Sequence, residues 1–439
     1  MSQTSLPVAV IGAGPIGLAA AAHLVSRGET PLILEAGDSV GASILTWGHV
    51  RVFSPWRYVV DHVSASLLER SGWASPPVEG LPTGGEFVEG YLKPLAELPE
   101  IAPRLRLNTK VVSVARQGFD KMKTAGREEA PFVLRVSSTG IEQEILAKAV
   151  IDASGTYSSP NPLGGNGVPA IGEADAADRI VYGIPDVLGS DRDRYAGRRV
   201  MVVGSGHSAF NTLIDLGRLA DEAPSTRITW VVRRADMRQL FGGEANDMLP
   251  ARGLLGTLVR KMVEAGSLTL VAGFKAHKLA RTPDGIVVSS LDRDLPPVDE
   301  IIGATGFRPD LSLLSELRVD LDPSVEAPSA LAPLIDPNVH SCGSVPPHGE
   351  AELRHPEAGF YVVGMKSYGR APTFLMLTGY EQVRSVVAAI VGDMEAARNV
   401  ELVLPETGVC STDLTDDPPS PNELPVLAGV GGGSSVCCR

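Results

Sequence analysis

The chain has 439 residues, of which 44% are hydrophobic and 21% are charged, as in ordinary globular proteins. This length predicts two or three domains. The formal net charge of −13 argues against nucleic acid or an anionic membrane as the main partner, so we expect a small-molecule substrate. With only four cysteines, a disulfide framework is excluded and a cytoplasmic protein is expected. The longest apolar stretch, residues 8–25, is interrupted by glycines and does not predict a membrane span.

A first glycine-rich loop follows an apolar, strand-like run at residues 7–11 and precedes an alanine-rich, helix-like stretch that ends at Ser26. In such a loop the first glycine permits a tight turn, the second lets the backbone approach a pyrophosphate, and the third lets helix and strand pack closely. The helix N-terminus offers unpaired N–H groups to the phosphates. The residues of this loop predicted to contact a dinucleotide are Gly12, Gly14, Pro15, Ile16 and Gly17.

An acidic residue ends the next apolar run, residues 31–34. This residue is Glu35, 18 positions after Gly17. A carboxylate at this distance is placed to accept hydrogen bonds from ribose hydroxyls. Strand, loop, helix and acid together indicate a dinucleotide site much more strongly than the glycines alone.

A second glycine-rich loop follows the strand-like residues 199–203, with Ala209 where a third glycine often stands. The next strand, residues 227–232, ends in Arg233 and Arg234 instead of an acid. Arginines accommodate the 2′-phosphate of NADP, so this site favours NADPH over NADH. His207 is expected to contact the cofactor rather than transfer protons. The residues of this loop predicted to bind NADPH are Gly204, Ser205, Gly206, His207 and Ser208.

The order of motifs resembles the two-dinucleotide-binding flavoprotein superfamily, which includes thioredoxin reductases and class B flavin monooxygenases. Beside the two loops, the resemblance rests on Ala153-Ser154-Gly155 and Ala304-Thr305-Gly306 and covers roughly residues 7–395. It implies an α/β fold with two Rossmann-like domains. An FAD domain (residues 1–165 and 303–398) would be split by an NADPH domain (166–302), and a flexible tail (399–439) would follow.

The same resemblance implies further cofactor contacts, with the chain crossing between domains near Ser154 and Thr305. Gly364 and a helix beginning near Thr373 would approach the flavin ring. The implied FAD contacts outside the first loop are Glu35, Val112, Ser154, Gly155, Gly364 and Thr373. Those implied for NADPH outside the second loop are Arg233, Arg234, Thr305 and Gly306.

Residues 47–56 and 364–374 resemble a narrower group, the flavin-dependent monooxygenase-like proteins encoded in bacterial arsenic-resistance operons. Two departures qualify the resemblance. The Phe-x-Gly-x-x-x-His pattern of class B monooxygenases is missing before the second loop, which puts oxygen chemistry in doubt. No Cys-x-x-Cys occurs in the sequence, which argues against thioredoxin reductase activity.

The carboxyl-terminal residues read as a flexible segment that ends in a vicinal cysteine pair. Such thiols suit soft metal(loid) ions or disulfide exchange. The candidate thiol site consists of Cys410, Cys437 and Cys438. The alternative is an inert tail, because exposed termini commonly have no function.

The leading hypothesis is an FAD-dependent, monooxygenase-like oxidoreductase that takes hydride from NADPH and acts on a small molecule such as an organoarsenical. A second hypothesis is a reductase that passes electrons through Cys437 and Cys438 to a disulfide or a soft metal(loid). A third is a non-catalytic, metalloid-binding flavoprotein. The sequence leaves the oligomeric state open.

Overall fold

The computed structural model describes residues 6–237, 240–243, 247, 249–339, 345–372 and 374–402. The strands are β1 (Val8–Ile11), β2 (Pro31–Leu34), β3 (Leu105–Arg106), β4 (Lys110–Arg116), β5 (Phe132–Ser138), β6 (Ile141–Ala147), β7 (Ala149–Asp152), β8 (Ile180–Tyr182), β9 (Arg199–Val203), β10 (Arg227–Val231), β11 (Thr269–Val271), β12 (Lys278–Thr282), β13 (Gly285–Ser289), β14 (Glu300–Gly303) and β15 (Phe360–Val362). The helices are α1 (Pro15–Ser26), α2 (Ala42–Leu45), α3 (Trp56–Val59), α4 (His62–Arg70), α5 (Gly84–Phe87), α6 (Lys93–Ala96), α7 (Arg192–Tyr195), α8 (His207–Glu222), α9 (Pro250–Glu264), α10 (Ala332–Ile335), α11 (Glu350–Leu353), α12 (Met376–Ile390) and α13 (Met394–Arg398).

The first sheet has the strand order β15-β7-β1-β2-β3, with parallel pairing throughout. Ile11, the last residue of β1, pairs with Leu34 on one side and Asp152 on the other. The strands therefore end together at one edge. Strands β1 and β7 are buried along their whole length. This burial explains why both are apolar up to Asp152, the last residue of β7, because a parallel sheet is covered on both faces.

The second sheet has the order β11-β10-β9-β14-β8 and is also parallel. Apolar side chains of α8 pack against β9 and β10, with Leu213, Leu216 and Trp230 fully buried. The strand-like run at residues 199–203 is β9, and the run predicted at residues 227–232 corresponds to β10. Two parallel sheets, each with a helix directly after a glycine loop, confirm the predicted α/β class with two Rossmann-like units.

Two antiparallel elements accompany the parallel sheets. Strands β4, β5 and β6 form a three-stranded sheet, and β12 pairs with β13 in a hairpin. The register of β4 against β5 shifts between Val111 and Ser113. Val112 therefore has no register partner in β5.

Two crossover segments join the sheets, residues 153–161 after β7 and residues 304–308 after β14. They run antiparallel: Asn161 N donates to Gly306 O at 2.9 Å, and Arg308 N donates to Ser159 O at 2.9 Å. The ring of Tyr157 stacks on Phe307 at 4.5 Å between centroids. The crossovers lie near the proposed domain boundaries at 165/166 and 302/303, which stay a prediction.

Helix α12 corresponds to the helix expected from about Thr373, which itself lies outside the described residues. The helix begins at Met376 and ends at Ile390, and it packs against α1. No helix in the described part of the chain combines the length and the apolar character needed to cross a membrane.

Candidate dinucleotide-binding sites

The first glycine loop connects β1 to α1 and has the backbone geometry that its sequence predicts. Gly12 has φ +97°, and a Cβ there would lie 2.8 Å from the carbonyl oxygen of Ala153. A Cβ at Gly17 would lie 2.0 Å from the carbonyl oxygen of Gly12. Both positions therefore require glycine. Gly12 is needed for its positive φ and its close approach to Ala153, and Gly17 for the packing of the helix against the loop.

Gly14 differs from the other two glycines because its Cβ position faces open space. No atom lies within 4 Å of that position. Gly14 is the N-cap of α1, a helix of 12 residues without a side-chain cap, and Pro15 follows it. The free N–H groups of the first turn and the space above Gly14 fit a pyrophosphate.

Ile16 links this loop to helix α12. A Cβ at Gly364 would lie 3.1 Å from Ile16 Cγ1, and a Cβ at Gly379 would lie 2.5 Å from Ile16 Cδ1. The first turns of α1 and α12 therefore lie side by side. Two helix N-termini face the same region at the end of the first sheet.

Glu35 directly follows β2, and its half-buried carboxylate accepts hydrogen bonds from Ala13 N at 2.6 Å and Gly37 N at 2.8 Å. The side chain thus fastens the glycine loop to the end of the neighbouring strand. Each carboxylate oxygen keeps lone-pair capacity for a further hydroxyl donor. The geometry is compatible with the ribose contact predicted from the sequence.

Val112 lies in β4, whose start is close to the end of β2. Thr109 N donates to Glu35 O at 2.7 Å, which brings the residue before β4 next to Glu35. Val112 stands at the register shift of β4 against β5. Its contact with the adenine, which the sequence resemblance implies, stays a prediction.

Ser154 and Gly155 open the first crossover segment, and Ser154 takes part in a network that sequence reasoning missed. Ser154 Oγ donates to Asp152 Oδ1 at 2.6 Å, while Lys366 Nζ donates to Asp152 Oδ2 at 2.7 Å and to Ser154 Oγ at 3.1 Å. The only sequence signal was a charged residue at the end of an apolar strand, Asp152. Gly155 has φ +69° and open space at its Cβ position.

Gly364 begins a 3-10 turn, Gly364–Tyr368, that a buried hydrogen-bond network holds. Gly364 N donates to Gln382 Oε1 at 2.8 Å, and Gln382 Nε2 donates to Ser367 Oγ at 2.9 Å. The same amide nitrogen lies 2.9 Å from Nε2 of His348. The other ring nitrogen of His348, Nδ1, lies 3.0 Å from Pro346 O. Burial lowers the pKa of His348. Because Pro346 O can only accept and Gln382 Nε2 can only donate, Nδ1 of the neutral ring donates and its Nε2 accepts.

The second glycine loop repeats the geometry of the first. Gly204 has φ +133°, and its Cβ would lie 2.1 Å from the carbonyl oxygen of Ala304. Gly206, the N-cap of the 16-residue helix α8, has nothing within 4 Å of its Cβ position and no side-chain cap. Trp230 Nε1 donates to Gly204 O at 2.7 Å and holds the loop against β10. Ser205 directly precedes Gly206 in the sequence, and Ser208 follows it by two residues.

His207, the first residue of α8, is neutral near pH 7. Burial, with a smaller contribution from the charge of Arg252, lowers its pKa to about 4. Its ring lies 5.3 Å from that of Phe53, and Arg252 forms a two-pronged ion pair with Asp247 at 2.8 Å for each bond. The ring of His207 is therefore uncharged where it packs against Phe53.

Arg233 and Arg234 follow β10 at the carboxyl edge of the second sheet, the edge where β9 leads into Gly204. Arg233 is exposed and Arg234 is half-buried. Gly273 N donates to Arg234 O at 2.8 Å, which fixes the backbone at this point. The two guanidinium groups thus follow the strand that neighbours the second loop.

Thr305 and Gly306 lie on the second crossover segment. Thr305 Oγ1 donates to Asn161 O, and Gly306 has φ +81°. In both units the first glycine of the loop packs under a crossover residue: Gly12 under Ala153 and Gly204 under Ala304. The crossovers therefore border both loops.

The predicted thiol site, Cys410, Cys437 and Cys438, lies outside the described residues. In the part of the chain that the structure describes, no group of three or more His, Cys, Asp or Glu side chains could hold a metal ion.

Two parallel sheets, each with a glycine loop under a shared pair of crossover segments, define an oxidoreductase of the two-dinucleotide-binding class. The chain belongs to the pyridine nucleotide-disulphide oxidoreductase family, whose sequence model matches residues 9–330. This membership confirms the predicted enzyme class, a flavin-dependent pyridine nucleotide oxidoreductase, and it agrees with FAD and NADP as cofactors.

Individual relatives include both reductases and monooxygenases. Ferredoxin–NADP reductase of Salinispora tropica is 26% identical over 323 residues, which cover 72% of this chain and 78% of that protein. Among solved structures, bacillithiol disulfide reductase from Bacillus cereus is similar with a TM-score of 0.62, 19% identity and coverage of 90% and 99%. The FAD-bound cadaverine monooxygenase of desferrioxamine biosynthesis from Erwinia amylovora gives a TM-score of 0.61, 13% identity and coverage of 92% and 99%. These two structures share the fold.

Proposed function

We propose that the protein is an FAD-dependent monooxygenase that takes hydride from NADPH and oxygenates a small molecule. One observation carries the cofactor part of this proposal. In each of two glycine loops, the middle glycine faces open space at the uncapped N-terminus of a long helix. The two loops border the same crossover segments, so two dinucleotides would be bound next to each other.

The first loop and its surroundings would hold FAD. The N–H groups at the start of α1 would bind the pyrophosphate, Glu35 the adenosine ribose and the backbone of Val112 the adenine. The remaining proposed FAD contacts are Gly12, Gly14, Pro15, Ile16, Gly17, Ser154, Gly155, Gly364 and Thr373. When bound, FAD supplies the two-electron chemistry, and the protein supplies binding, orientation and electrostatics.

The second loop would hold NADPH, with its pyrophosphate at the N-terminus of α8. Arg233 and Arg234 would supply the positive charge for the 2′-phosphate. Two arginines at this position, in place of an acid, support NADPH over NADH. The remaining proposed contacts are Gly204, Ser205, Gly206, His207, Ser208, Thr305 and Gly306.

Alanine at each middle glycine tests the two binding sites separately. Because the Cβ positions of Gly14 and Gly206 face open space, Gly14→Ala and Gly206→Ala should fold with unchanged thermal stability. We expect Gly14→Ala to weaken FAD binding by about 10²-fold, because the methyl group occupies the space of the pyrophosphate.

Gly206→Ala should retain FAD but weaken NADP⁺ binding similarly. Both affinities are measured by titration, followed through flavin fluorescence and absorption. Full cofactor affinity in both variants would contradict the assignment of the loops. Equal rates of flavin reduction by NADH and NADPH would contradict the preference for NADPH.

Oxygen as the electron acceptor is supported by the monooxygenase fold neighbour and by the sequence segments 47–56 and 364–374. The balanced reaction consumes NADPH, a proton, O₂ and substrate, and it yields NADP⁺, water and an oxygenated substrate. Because the same two segments resemble monooxygenase-like proteins of arsenic-resistance operons, we also propose an organoarsenical as the substrate. Purified enzyme with NADPH and a trivalent methylarsenical should form one oxygenated product for each NADPH oxidised. Peroxide formation without product would exclude monooxygenation of this substrate.

A reductase is the second candidate, because the ferredoxin–NADP reductase of Salinispora tropica is similar over most of its length. In this version electrons leave through Cys437 and Cys438 to a disulfide or a soft metal(loid) in the cytoplasm. The double variant Cys437→Ser/Cys438→Ser should then lose turnover with that acceptor and keep flavin reduction by NADPH. Unchanged turnover in the double variant would show that electrons do not pass through Cys437 and Cys438. Arsenite binding without NADPH oxidation would instead favour a non-catalytic metalloid-binding flavoprotein.

A further inference from the structure

We propose that Lys366, Asp152 and Ser154 form a buried, electrically neutral clamp that positions the first crossover segment for FAD binding. The inference rests on the proposed function, because it concerns the site assigned to FAD. It names Lys366 as a positioning residue that acts on the cofactor site through its two partners.

The burial of these groups requires an explanation. Lys366 is 2% exposed and Asp152 is fully buried, although lysine and aspartate are almost never fully buried unless they are paired. Lys366 Nζ lies 2.7 Å from Asp152 Oδ2 and 3.1 Å from Ser154 Oγ. Ser154 donates to Asp152 Oδ1 from its hydroxyl at 2.6 Å and from its backbone N–H at 3.1 Å. The three side chains therefore form a closed ring of hydrogen bonds.

The clamp lies at the edge of the first sheet where a dinucleotide would bind. Asp152 is the last residue of β7 and pairs in register with Ile11 of β1, directly before the glycine loop. A Cβ at Gly12 would lie 3.1 Å from Ser154 Cα. Through Ser154, the clamp fixes the chain against which the glycine loop packs. In open parallel sheets, ligands bind at this carboxyl edge.

Charge balance explains why a lysine is needed. A carboxylate buried next to a pyrophosphate site would repel the anion, and repulsion is strong where water is excluded. Lys366 neutralises Asp152 and leaves the helix N–H groups to attract the phosphates. Removing one partner of a buried ion pair leaves an uncompensated charge, whereas replacing both is often tolerated.

The test compares FAD affinities of single and double variants, measured by titrating apoprotein with FAD and following fluorescence and the visible absorption bands. Lys366→Met should weaken FAD binding by about 10²-fold, because Asp152 loses its counter-charge. Lys366→Met/Asp152→Asn should restore affinity to within about tenfold of the wild type, because asparagine still accepts from Ser154. Ser154→Ala, which opens the ring without stranding a charge, should weaken binding about fivefold.

Lys148→Met is the matched control. Lys148 precedes β7 at the opposite end of the strand and pairs with Glu29 at 2.6 Å, with both side chains partly exposed. Its loss should change FAD affinity by less than about twofold. If Lys366→Met fails to fold, the double variant still decides the question, because it leaves no lone buried charge, and a loss of FAD affinity well beyond tenfold would contradict the clamp.

Two results would overturn the clamp. Wild-type FAD affinity in Lys366→Met and Ser154→Ala would show that the ring does not position the site. A double variant that binds as weakly as Lys366→Met would show that Lys366 acts through its own charge instead of through Asp152. Absence of FAD binding by the wild-type protein would instead overturn the proposed function.

Discussion

His355 shows how strongly the surroundings of one residue can change its chemistry. Its ring is 4% exposed and stacks on Phe360, with centroids 5.8 Å apart. Burial lowers the pKa of His355 to about 4. Its Nδ1 accepts a hydrogen bond from Asp320 N at 3.2 Å, which also favours the unprotonated ring. Among the described residues, its Nε2 atom has no hydrogen-bond partner. The folded protein therefore holds this imidazole uncharged.

We predict that His355 makes the protein sensitive to mild acid. The pKa of about 4 in the folded state lies below the ordinary value of 6.5, so the unfolded chain binds more protons between these values. Stability is fully present above pH 6.5 and is lost as the pH falls towards 4, by at most about 3 kcal/mol. His355→Asn keeps an acceptor for Asp320 N without a titrating ring. Urea unfolding should show that its free energy of unfolding falls less from pH 7.5 to 5 than that of the wild type. Parallel pH profiles for both proteins would contradict this.

At the residue scale, the glycine loops were predictable and the buried polar groups were not. Gly12, Gly17 and Gly204 are required by local backbone geometry, which a short sequence pattern records. Lys366 and His355 look like ordinary surface residues in the sequence. Their burial depends on partners far along the chain: Asp152 is 214 residues from Lys366.

The antiparallel sheet is attached to the first parallel sheet by a buried ion-pair network. Glu357, just before β15, accepts from Arg116 Nε at 2.8 Å and from Arg127 Nη2 at 2.7 Å. Arg318 N also donates to this carboxylate, at 3.0 Å. Arg116 belongs to β4, so one carboxylate joins two sheets and two loops.

Removing the charge of Glu357 should destabilise the whole protein. In Glu357→Gln, two buried guanidinium groups lose their counter-charge, which typically costs about 3 kcal/mol or more. The control is Glu144→Gln, because Glu144 pairs with Arg135 on the exposed face of the same antiparallel sheet. That change should cost less than about 0.5 kcal/mol. Equal unfolding midpoints in urea for both variants would show that the buried network is not needed for stability.

At the element scale, the apolar runs predicted the two strands on either side of each glycine-rich loop and its helix closely. The run at residues 199–203 is β9, and that at residues 31–34 is β2. The pattern did not reveal β8, because three residues, Ile180–Tyr182, carry too little periodicity. Nor did it reveal that β8 pairs with β14 at the edge of the second sheet, since that pairing joins segments about 120 residues apart.

The two sheets also meet through the loop at residues 47–56. Trp56 anchors this loop in the core of the first sheet, while the ring of Phe53 lies against His207 at the start of α8. Arg252 lies on Phe53 as well, with its guanidinium carbon 6.0 Å from the ring centroid. Phe53 thus connects the first sheet to the proposed NADPH loop.

We predict that Phe53 sets the geometry of hydride transfer. Phe53→Ala should retain FAD and NADP⁺ affinities, because the ring is not part of either loop. Flavin reduction by NADPH should slow by about 10-fold to 10²-fold, as a displacement of about 1 Å between reacting groups can cause. Anaerobic stopped-flow measurement of flavin bleaching gives the rate, with Phe53→Tyr as the control that keeps the ring. An unchanged rate of flavin reduction in Phe53→Ala would show that Phe53 does not set the geometry of hydride transfer.

At the scale of the whole molecule, the order of the two nucleotide sites could be predicted, because each has its own local pattern. The contact between the two sheets could not be predicted from the sequence. The stacking of Tyr157 on Phe307 joins residues 150 positions apart, and no periodic pattern in the sequence connects them.

Because the two crossover segments are paired, the first sheet can tolerate changes in the length of the chain between them. Pro160 and Phe307 are bridge partners, so the chain returns almost to the point from which it departed. Because closure entropy rises slowly with loop length, the excursion between them can shrink or grow at little thermodynamic cost. We therefore expect that replacing residues 162–305 with a short glycine-rich turn would leave the amino-terminal nucleotide-binding unit as one continuous chain that can be expressed separately.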